Sequence, residues 1–278
     1  MKEGSVMQRN GYNIEVIVTG DEVLFGRIQD TNSNWLARRA VELGAHLKRV
    51  TVIGDEVDEI GGVLRDALTR GCDMIVFTGG LGPSEDDLTV EAIARVVGRD
   101  VVHDQGAIER IRVSYEARGI EYSARGERMA RIAEGARAIP NPVGLAAGMM
   151  LQEGGTLIVT FPGIPVEMEA MFDGFVAPII EEGTPTKFVA RTLTARVKFW
   201  EFFPIYRQMH LDYPDVYIKN AATPPESREG RESVREIKVD IVAEGGTREL
   251  SEGRMDEVVS DFRGRIEAKG GVLLEDSP

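Results

Sequence analysis

Short apolar runs alternate with stretches of helical spacing through the first two thirds of the chain. Runs typical of buried strands lie at 14–18, 47–53, 73–77 and 157–161. Apolar residues recur every three or four positions in the helices predicted at 32–43, 60–68, 87–97, 104–118 and 166–176. This alternation predicts an α/β fold with a mostly parallel sheet and helices on both faces.

The pattern changes after a polar segment at 181–187 that contains Gly and Pro, as linkers do. Alternating strands are then predicted at 188–197, 216–220 and 236–243, with helices at 201–211 and 249–269. We therefore expect two domains, a larger one at 1–182 and a second, smaller α+β domain at 188–278. Shorter strands are expected at 136–139 and 148–151, inside an irregular stretch at 120–156.

Composition narrows the class of protein. The formal net charge of −13 over 278 residues disfavours a nucleic-acid partner, because phosphate backbones need a basic face. A single cysteine, Cys72, excludes an intrachain disulfide and fits a cytoplasmic protein. The N-terminus has no apolar signal segment, and no apolar run is long enough to span a membrane. Three scattered histidines make a carboxylate-held metal more plausible than a zinc site.

Three loops follow directly after predicted buried strands: TGDEVLFG at 19–26, TGGLGPSEDD at 78–87 and PGIP at 162–165. In an open parallel sheet, ligands bind beyond the carboxyl ends of the strands. The three loops are therefore expected to meet at one edge of the sheet and to form the ligand site.

The glycine-rich loop at 78–87 has the strongest chemical signal. Its glycines allow the backbone to approach a ligand and present amide groups, and the following helix start favours an anion such as phosphate. Asp86 and Asp87 could cap that helix or hold a divalent ion that bridges phosphate oxygens. A simple tight turn with a helix cap is the competing interpretation.

The other loops are more ambiguous. Asp21 and Glu22 are adjacent acids at a strand end, suited to a cation, a ligand hydroxyl or a solvated turn. Asp30 and Asn32 precede a helix and favour capping first and ligand contact second. The PGIP segment is a rigid turn into a helix whose first turn carries Glu167.

These motifs, followed by NPVGLAAG at 141–148 and FPGIPVEMEAMF at 161–172, resemble the N-terminal domain of the CinA family, which is related to molybdopterin-binding domains. The resemblance covers 12–182 and implies a three-layer α/β/α fold. It also implies divalent-metal-dependent hydrolysis of the pyrophosphate of ADP-ribose or a related nucleotide such as FAD, with magnesium, manganese or cobalt. Residues 188–275 resemble the small KH-like domain of the family, and a C-terminal deamidase domain is expected to be lacking.

The resemblance assigns roles position by position. Asp21, Asp86 and Asp87 match catalytic positions, and the last two would hold the metal. Ligand contacts are implied for Gly20, Glu22, Asp30, Asn32, Thr78, Gly79, Gly80, Gly82, Asn141, Gly144, Gly148, Pro162, Gly163 and Glu167. We expect a small phosphate-bearing ligand as partner, and a homodimer or other homo-oligomer.

Three departures from the family pattern concern the site. Phe25 stands where a Ser- or Thr-rich position is usual, Gly144–Gly148 reads GLAAG in place of GTAPG, and Arg128 lies where a lysine-containing stretch is common. Leu145 cannot donate a hydrogen bond to a phosphate. These departures keep open a second function, binding of a nucleotide or molybdopterin without turnover. RNA binding by the second domain is disfavoured, because Gly245-Gly246 does not lie between two helices as the KH loop does.

Overall fold

In a computed structural model of the chain, residues 11–119, 121–184, 187–221 and 233–275 are described. The chain divides into two compact units, Met1–Thr184 and Pro185–Pro278, which are considered separately below. The polar, Pro- and Gly-containing stretch 222–232, between the strands predicted at 216–220 and 236–243, lies outside the described residues.

The first unit follows the predicted alternation of strand and helix. Its strands are β1 (Asn13–Thr19), β2 (His46–Ile53), β3 (Met74–Thr78), β4 (Val101–His103), β5 (Arg131–Ala133), β6 (Arg137–Ile139), β7 (Gly148–Glu153) and β8 (Thr156–Phe161). Its helices are α1 (Asp21–Leu24), α2 (Asn32–Glu42), α3 (Val57–Arg70), α4 (Thr89–Val97), α5 (Gln105–Ala117), α6 (Ala124–Glu127), α7 (Pro165–Phe175) and α8 (Ala177–Gly183), with a 3-10 turn at Arg128–Ala130.

Six of these strands form one sheet in the order β2-β1-β3-β8-β7-β6. The first four run parallel, while β7 and β6 pair antiparallel at one side. All four parallel strands were predicted from their apolar runs. The carboxyl ends of these strands therefore lie along a single edge.

Alternate residues of β3 face two separate cores. Met74 and Val76 belong to a core shared with α2 and α7, whereas Ile75 and Phe77 belong to a core shared with α3 and α4. The sheet is thus covered on both faces, as a run of consecutive buried apolar residues requires. The predicted three-layer α/β/α class is confirmed.

Several features of this unit were not predicted, among them the short helices α1 and α6. The two-stranded pair of β4 and β5 involves only three residues on each side, too few for a visible alternation. The start of the expected linker is instead helical, because α8 continues to Gly183. Pro178 lies in the first turn of α8, where a backbone N–H group has no partner within the helix. The proline therefore does not interrupt the helical hydrogen bonds of α8.

The second unit is a four-stranded antiparallel sheet in the order β10-β11-β9-β12. Its elements are β9 (Lys187–Lys198), α9 (Phe199–Asp212), β10 (Tyr217–Asn220), β11 (Val234–Gly245), α10 (Arg248–Glu267) and β12 (Val272–Glu275). Phe202 of α9 and Phe262 of α10 share one core with the inward residues of the strands. Among the described residues this βαββαβ order is the ferredoxin-like arrangement. The smaller α+β domain is present, and its likeness to a KH domain is not confirmed.

An ion pair between a buried acid and a partly exposed arginine ties strand β1 to the end of α3. Glu15 is 3% exposed, and Arg70 donates from Nε and Nη2 to its two carboxylate oxygens at 2.7 and 2.6 Å. We expect Arg70→Ala to lower the free energy of unfolding by about 3 kcal/mol, because it leaves a buried carboxylate without a counter-charge. Urea unfolding measures this loss. Arg65→Ala, on the exposed side of the same helix, is the matched control, and equal stability of the two variants would contradict the prediction.

Candidate ligand-binding site

A cleft of about 770 Å³ opens at the carboxyl ends of the parallel strands. The chain passes from β2 on one side of β1 to β3 on the other, so the strand order reverses beside β1. Such a reversal is where open α/β sheets bind ligands. The cleft is lined by the loops after β1, β2, β3 and β8 and by residues 143–146.

The glycine loop approaches β1 too closely for any side chain. Gly79 has φ of +108° and Gly80 has φ of +65°, in the region that favours glycine. A Cβ atom at Gly79 would collide with the carbonyl of Thr19, and one at Gly80 with Oγ1 of Thr89. The Gly79 amide donates to Phe161 O at 3.0 Å, so the loop is held between the ends of β1 and β8.

Three amides of this loop are left for a ligand. The N–H groups of Gly80, Leu81 and Gly82 have no acceptor in the described structure, and all three residues line the cleft. Successive backbone amides that face a concavity make an anion site. The amides of Gly80, Leu81 and Gly82 are therefore the donors available for the phosphate binding predicted for this loop.

The two acids of the loop differ. The Oδ2 atom of Asp87 accepts from the amide of Ser84 at 2.7 Å, so this carboxylate closes the loop on itself. The α4 helix begins only at Thr89, two residues after the predicted start, because Asp87 belongs to that closed loop. Asp86 is exposed and lines the cleft, which leaves its carboxylate available to a ligand or cation.

Three arginines support the loop from behind. Arg125 Nε donates to Pro83 O at 3.4 Å, Arg128 Nε to Ser84 O at 3.1 Å, and Arg131 Nη2 to Asp87 O at 3.0 Å. Arg131 is 7% exposed and also pairs with Glu91. The carbonyl oxygens of Pro83, Ser84 and Asp87 thus each accept a hydrogen bond from an arginine. Arg128, at the departure from the family's lysine, supports the loop and does not line the cleft.

Asp55 is a site residue that sequence reasoning missed. It follows β2, lines the cleft, and accepts from the Asp21 amide at 3.1 Å. Burial raises its pKa, and the nearby charges of Asp21, Glu22 and Asp86 raise it further. A signal was present in the sequence: GDEV occurs at both 20–23 and 54–57, each time directly after a parallel strand.

Polar side chains connect the start of α2 to the ends of β3 and β8. Asn32 Nδ2 donates to Thr78 Oγ1 and to Gly163 O, each at 2.9 Å, and Thr78 Oγ1 donates to Pro162 O at 3.0 Å. Asp30 accepts from the amide of Ser33 at 3.0 Å, which is the capping role expected for it. The predicted ligand residues here thus also hold the site together.

The structure brings most of the predicted site residues to the cleft. Those that line it are Gly20, Glu22, Asp30, Asn32, Thr78, Gly79, Gly80, Gly82, Asp86, Asp87, Gly144, Pro162, Gly163 and Glu167. Three others, Asp21, Asn141 and Gly148, do not line it. Asp21 lies against Gly54, and Gly148 lies against the carbonyl of Thr160, where no Cβ fits.

Asn141 acts through its neighbours. Its Oδ1 accepts from the amides of Val143 and Gly144 at 3.0 and 2.7 Å, and its Nδ2 donates to Glu167 Oε2 at 2.7 Å. Asn141 therefore fixes the turn at 143–144 and orients Glu167, which lines the cleft.

No group of three or more His, Cys, Asp or Glu side chains converges to hold a metal within the described residues. A cation at this edge would have to take part of its coordination from a ligand.

In the same described segments, no helix has the length and apolar character needed to cross a membrane.

The chain is similar to several known proteins. The family model of the probable molybdopterin-binding domain matches residues 15–182. A protein of Pyrobaculum calidifontis is 34% identical over 91% of this chain and 95% of its own length. A CinA-like protein of Dictyoglomus thermophilum is 33% identical over 91% of this chain and 59% of its own length. The crystal structure of the protein CinA from Thermoplasma acidophilum, described as of unknown function, is 37% identical, with a TM-score of 0.56 over 60% of this chain and 99% of that one.

The fold and the cleft thus define a domain of the molybdopterin-binding type, with a binding function for a nucleotide- or molybdopterin-related small molecule. The chain belongs to the CinA family, whose N-terminal domain it carries.

The different roles of the two loop acids can be tested by stability. Asp87→Ala removes the acceptor of the Ser84 amide and is expected to cost about 1 kcal/mol in the free energy of unfolding. Asp86→Ala removes an exposed carboxylate and should change stability by less than about 0.5 kcal/mol. Thermal unfolding without added cation measures both, and the reverse order would show that Asp86 is the structural acid.

The raised pKa of Asp55 predicts a pH effect. The folded state binds this proton more tightly than the unfolded state, so its contribution to stability is fully present below the usual pKa of 3.8 and is lost as the pH rises through the raised pKa of the folded state. Asp55→Asn should therefore melt higher than the unaltered protein at neutral pH without cation, and the difference should shrink towards acid pH. Glu59→Gln, an exposed acid of α3, is the control. An Asp55→Asn protein that melts lower at neutral pH would contradict this account.

Proposed function

We propose that the cleft binds a nucleotide through its pyrophosphate and, with a divalent cation, hydrolyses the bond between the two phosphates. One observation carries this proposal. The unpaired amides of Gly80, Leu81 and Gly82 line the same cleft as the carboxylates of Glu22, Asp55 and Asp86. Amides supply an anion site and carboxylates a cation site, and a metal–pyrophosphate complex presents both charges at once.

The mouth of the cleft supports a ligand larger than inorganic phosphate. Ile28, Val143 and Ile164 line it, and each is more than half exposed. Ile164 follows Gly163, whose Cβ position would lie 3.5 Å from the Cα atom of Gly79. An apolar wall therefore adjoins the anion site, which suits a nucleotide with a planar base.

The acids fit a cation that arrives with its ligand. Mg²⁺ is commonly held by one or two carboxylates together with substrate phosphate oxygens, and a cage made only of protein side chains is not required. We assign Asp86 and Asp55 to this role, since Asp87 is engaged with Ser84. When bound, magnesium, manganese or cobalt would neutralise negative charge that develops on the phosphoryl oxygens.

The proposed reaction is hydrolysis of the pyrophosphate bond by water. A water oxygen attacks one phosphorus atom, the bond from that phosphorus to the bridging oxygen breaks, and the bridging oxygen keeps the electron pair. The proton of the water passes to a carboxylate of the cleft. ADP-ribose and water would give AMP and ribose 5-phosphate. The free loop amides would stabilise the charge on the phosphoryl group under attack.

Binding without turnover is the second candidate. Leu145 lines the cleft at a position where a hydroxyl is expected from the family pattern, so one donor to the ligand is replaced by an apolar side chain. Under this alternative a nucleotide or molybdopterin occupies the same amides and is not cleaved. Formation of a homo-oligomer stays a prediction under either function.

The two functions are separated by assaying AMP release from ADP-ribose and from FAD with magnesium, manganese or cobalt. Hydrolysis is expected to need the cation and to fall about 100-fold in Asp86→Asn, since a metal ligand supplies several kcal/mol of charge stabilisation. Glu85→Gln, an exposed neighbour outside the cleft, is the matched control. Binding of ADP-ribose by calorimetry with no AMP release under any cation would reject hydrolysis and leave the binding function.

A further inference from the structure

The cleft has an unusual balance of charge for an anion site. Six acids line it, namely Glu22, Asp30, Asp55, Asp86, Asp87 and Glu167, and Arg118 is the one basic side chain among the lining residues. A pyrophosphate that enters this cleft meets several like charges. A counter-charge is therefore needed besides the neutral amides.

Arg118 is available for this purpose, whereas the neighbouring arginines are not. Arg125, Arg128 and Arg131 donate to carbonyls of the glycine loop. Arg118 stands at the end of α5, its side chain is exposed, and within the described segments its guanidinium forms no ion pair or hydrogen bond. Within the described residues, the backbone amide of Arg118 donates to the carbonyl oxygens of Ser114 and Tyr115 in α5.

We propose that Arg118 is the side-chain cation that binds the phosphate groups of the ligand, in the same cleft as the amides of Gly80–Gly82. This inference rests on the proposed function of the cleft as a pyrophosphate site. The planar guanidinium can donate two parallel hydrogen bonds to one phosphate, which lysine cannot do. Because Arg118 is solvated without ligand, its recruitment needs no buried partner to be broken.

The position of Arg118 is not marked by the loop motifs. It follows a polar helix and precedes Gly119, 31 residues beyond Asp87. Arg118 lines the cleft because α5 ends there. Arg125 of α6, seven residues further along the chain, donates to Pro83 O of the glycine loop.

The test measures the dissociation constants of inorganic pyrophosphate and ADP-ribose by calorimetry, with magnesium present. Arg118→Ala is expected to weaken both ligands about 10-fold or more, and Arg118→Lys to recover only part of the loss. The salt dependence of affinity should also become shallower in Arg118→Ala. Arg110→Ala, an exposed arginine of the same helix outside the cleft, should bind as the unaltered protein does.

Ile164→Ser separates charge from general damage to the cleft. Ile164→Ser should weaken the binding of ADP-ribose and leave that of pyrophosphate unchanged, whereas Arg118→Ala should weaken both. The melting temperature of Arg118→Ala should be unchanged, since its side chain has no partner in the described structure. Equal affinities of Arg118→Ala and the unaltered protein would overturn the assignment of Arg118 alone. Failure of the unaltered protein to bind either ligand would overturn the proposed function, and the assignment with it.

Discussion

The close approach of the glycine loop to the end of β1 is the constraint on which the site depends. Thr89 Oγ1 donates to Gly79 O at 3.0 Å and lies 3.1 Å from Thr19 Oγ1, so one hydroxyl joins the strand, the loop and the start of α4. Because this bond and the Gly79 amide close the base of the loop, the next three amides need no protein partner to keep their position. Preorganised donors of this kind bind an anion without paying to order themselves.

Like charges lie close together around Asp55, another residue that lines the cleft. Asp55 is half-buried and lies near the charges of Asp21, Glu22 and Asp86, which together with burial raise its pKa. Such an arrangement is unfavourable for the protein alone and becomes favourable when a cation is shared with a bound phosphate. Cation and anion affinities are therefore expected to be coupled, since each ion removes repulsion that the other would meet.

The strands and the three loops could be predicted because they depend on local patterns: apolar runs, helical spacing and glycine followed by polar residues. The different roles of Asp86 and Asp87 could not, since they depend on which carboxylate turns back to the Ser84 amide. Arg118 was missed for a related reason, since it reaches the cleft only through the tertiary position of the end of α5. Asp55 does carry a local signal, the GDEV repeated after β2, but its loop lacks the several glycines that marked the loop at 78–87. Asp21 shows the converse, since it lies in a predicted loop and points against Gly54.

The arrangement also indicates where binding and hydrolysis would diverge. The apolar wall at Ile164 would contact a ligand equally in the ground state and in the transition state, so it would contribute affinity more than rate. Groups that respond to developing charge would accelerate hydrolysis, and in this cleft they are the free amides of Gly80–Gly82 and the acids that could share a cation. Leu145 removes one neutral donor from that set and no charge. A loss of turnover in this chain would then reflect weaker stabilisation of the transition state, with ligand affinity largely retained.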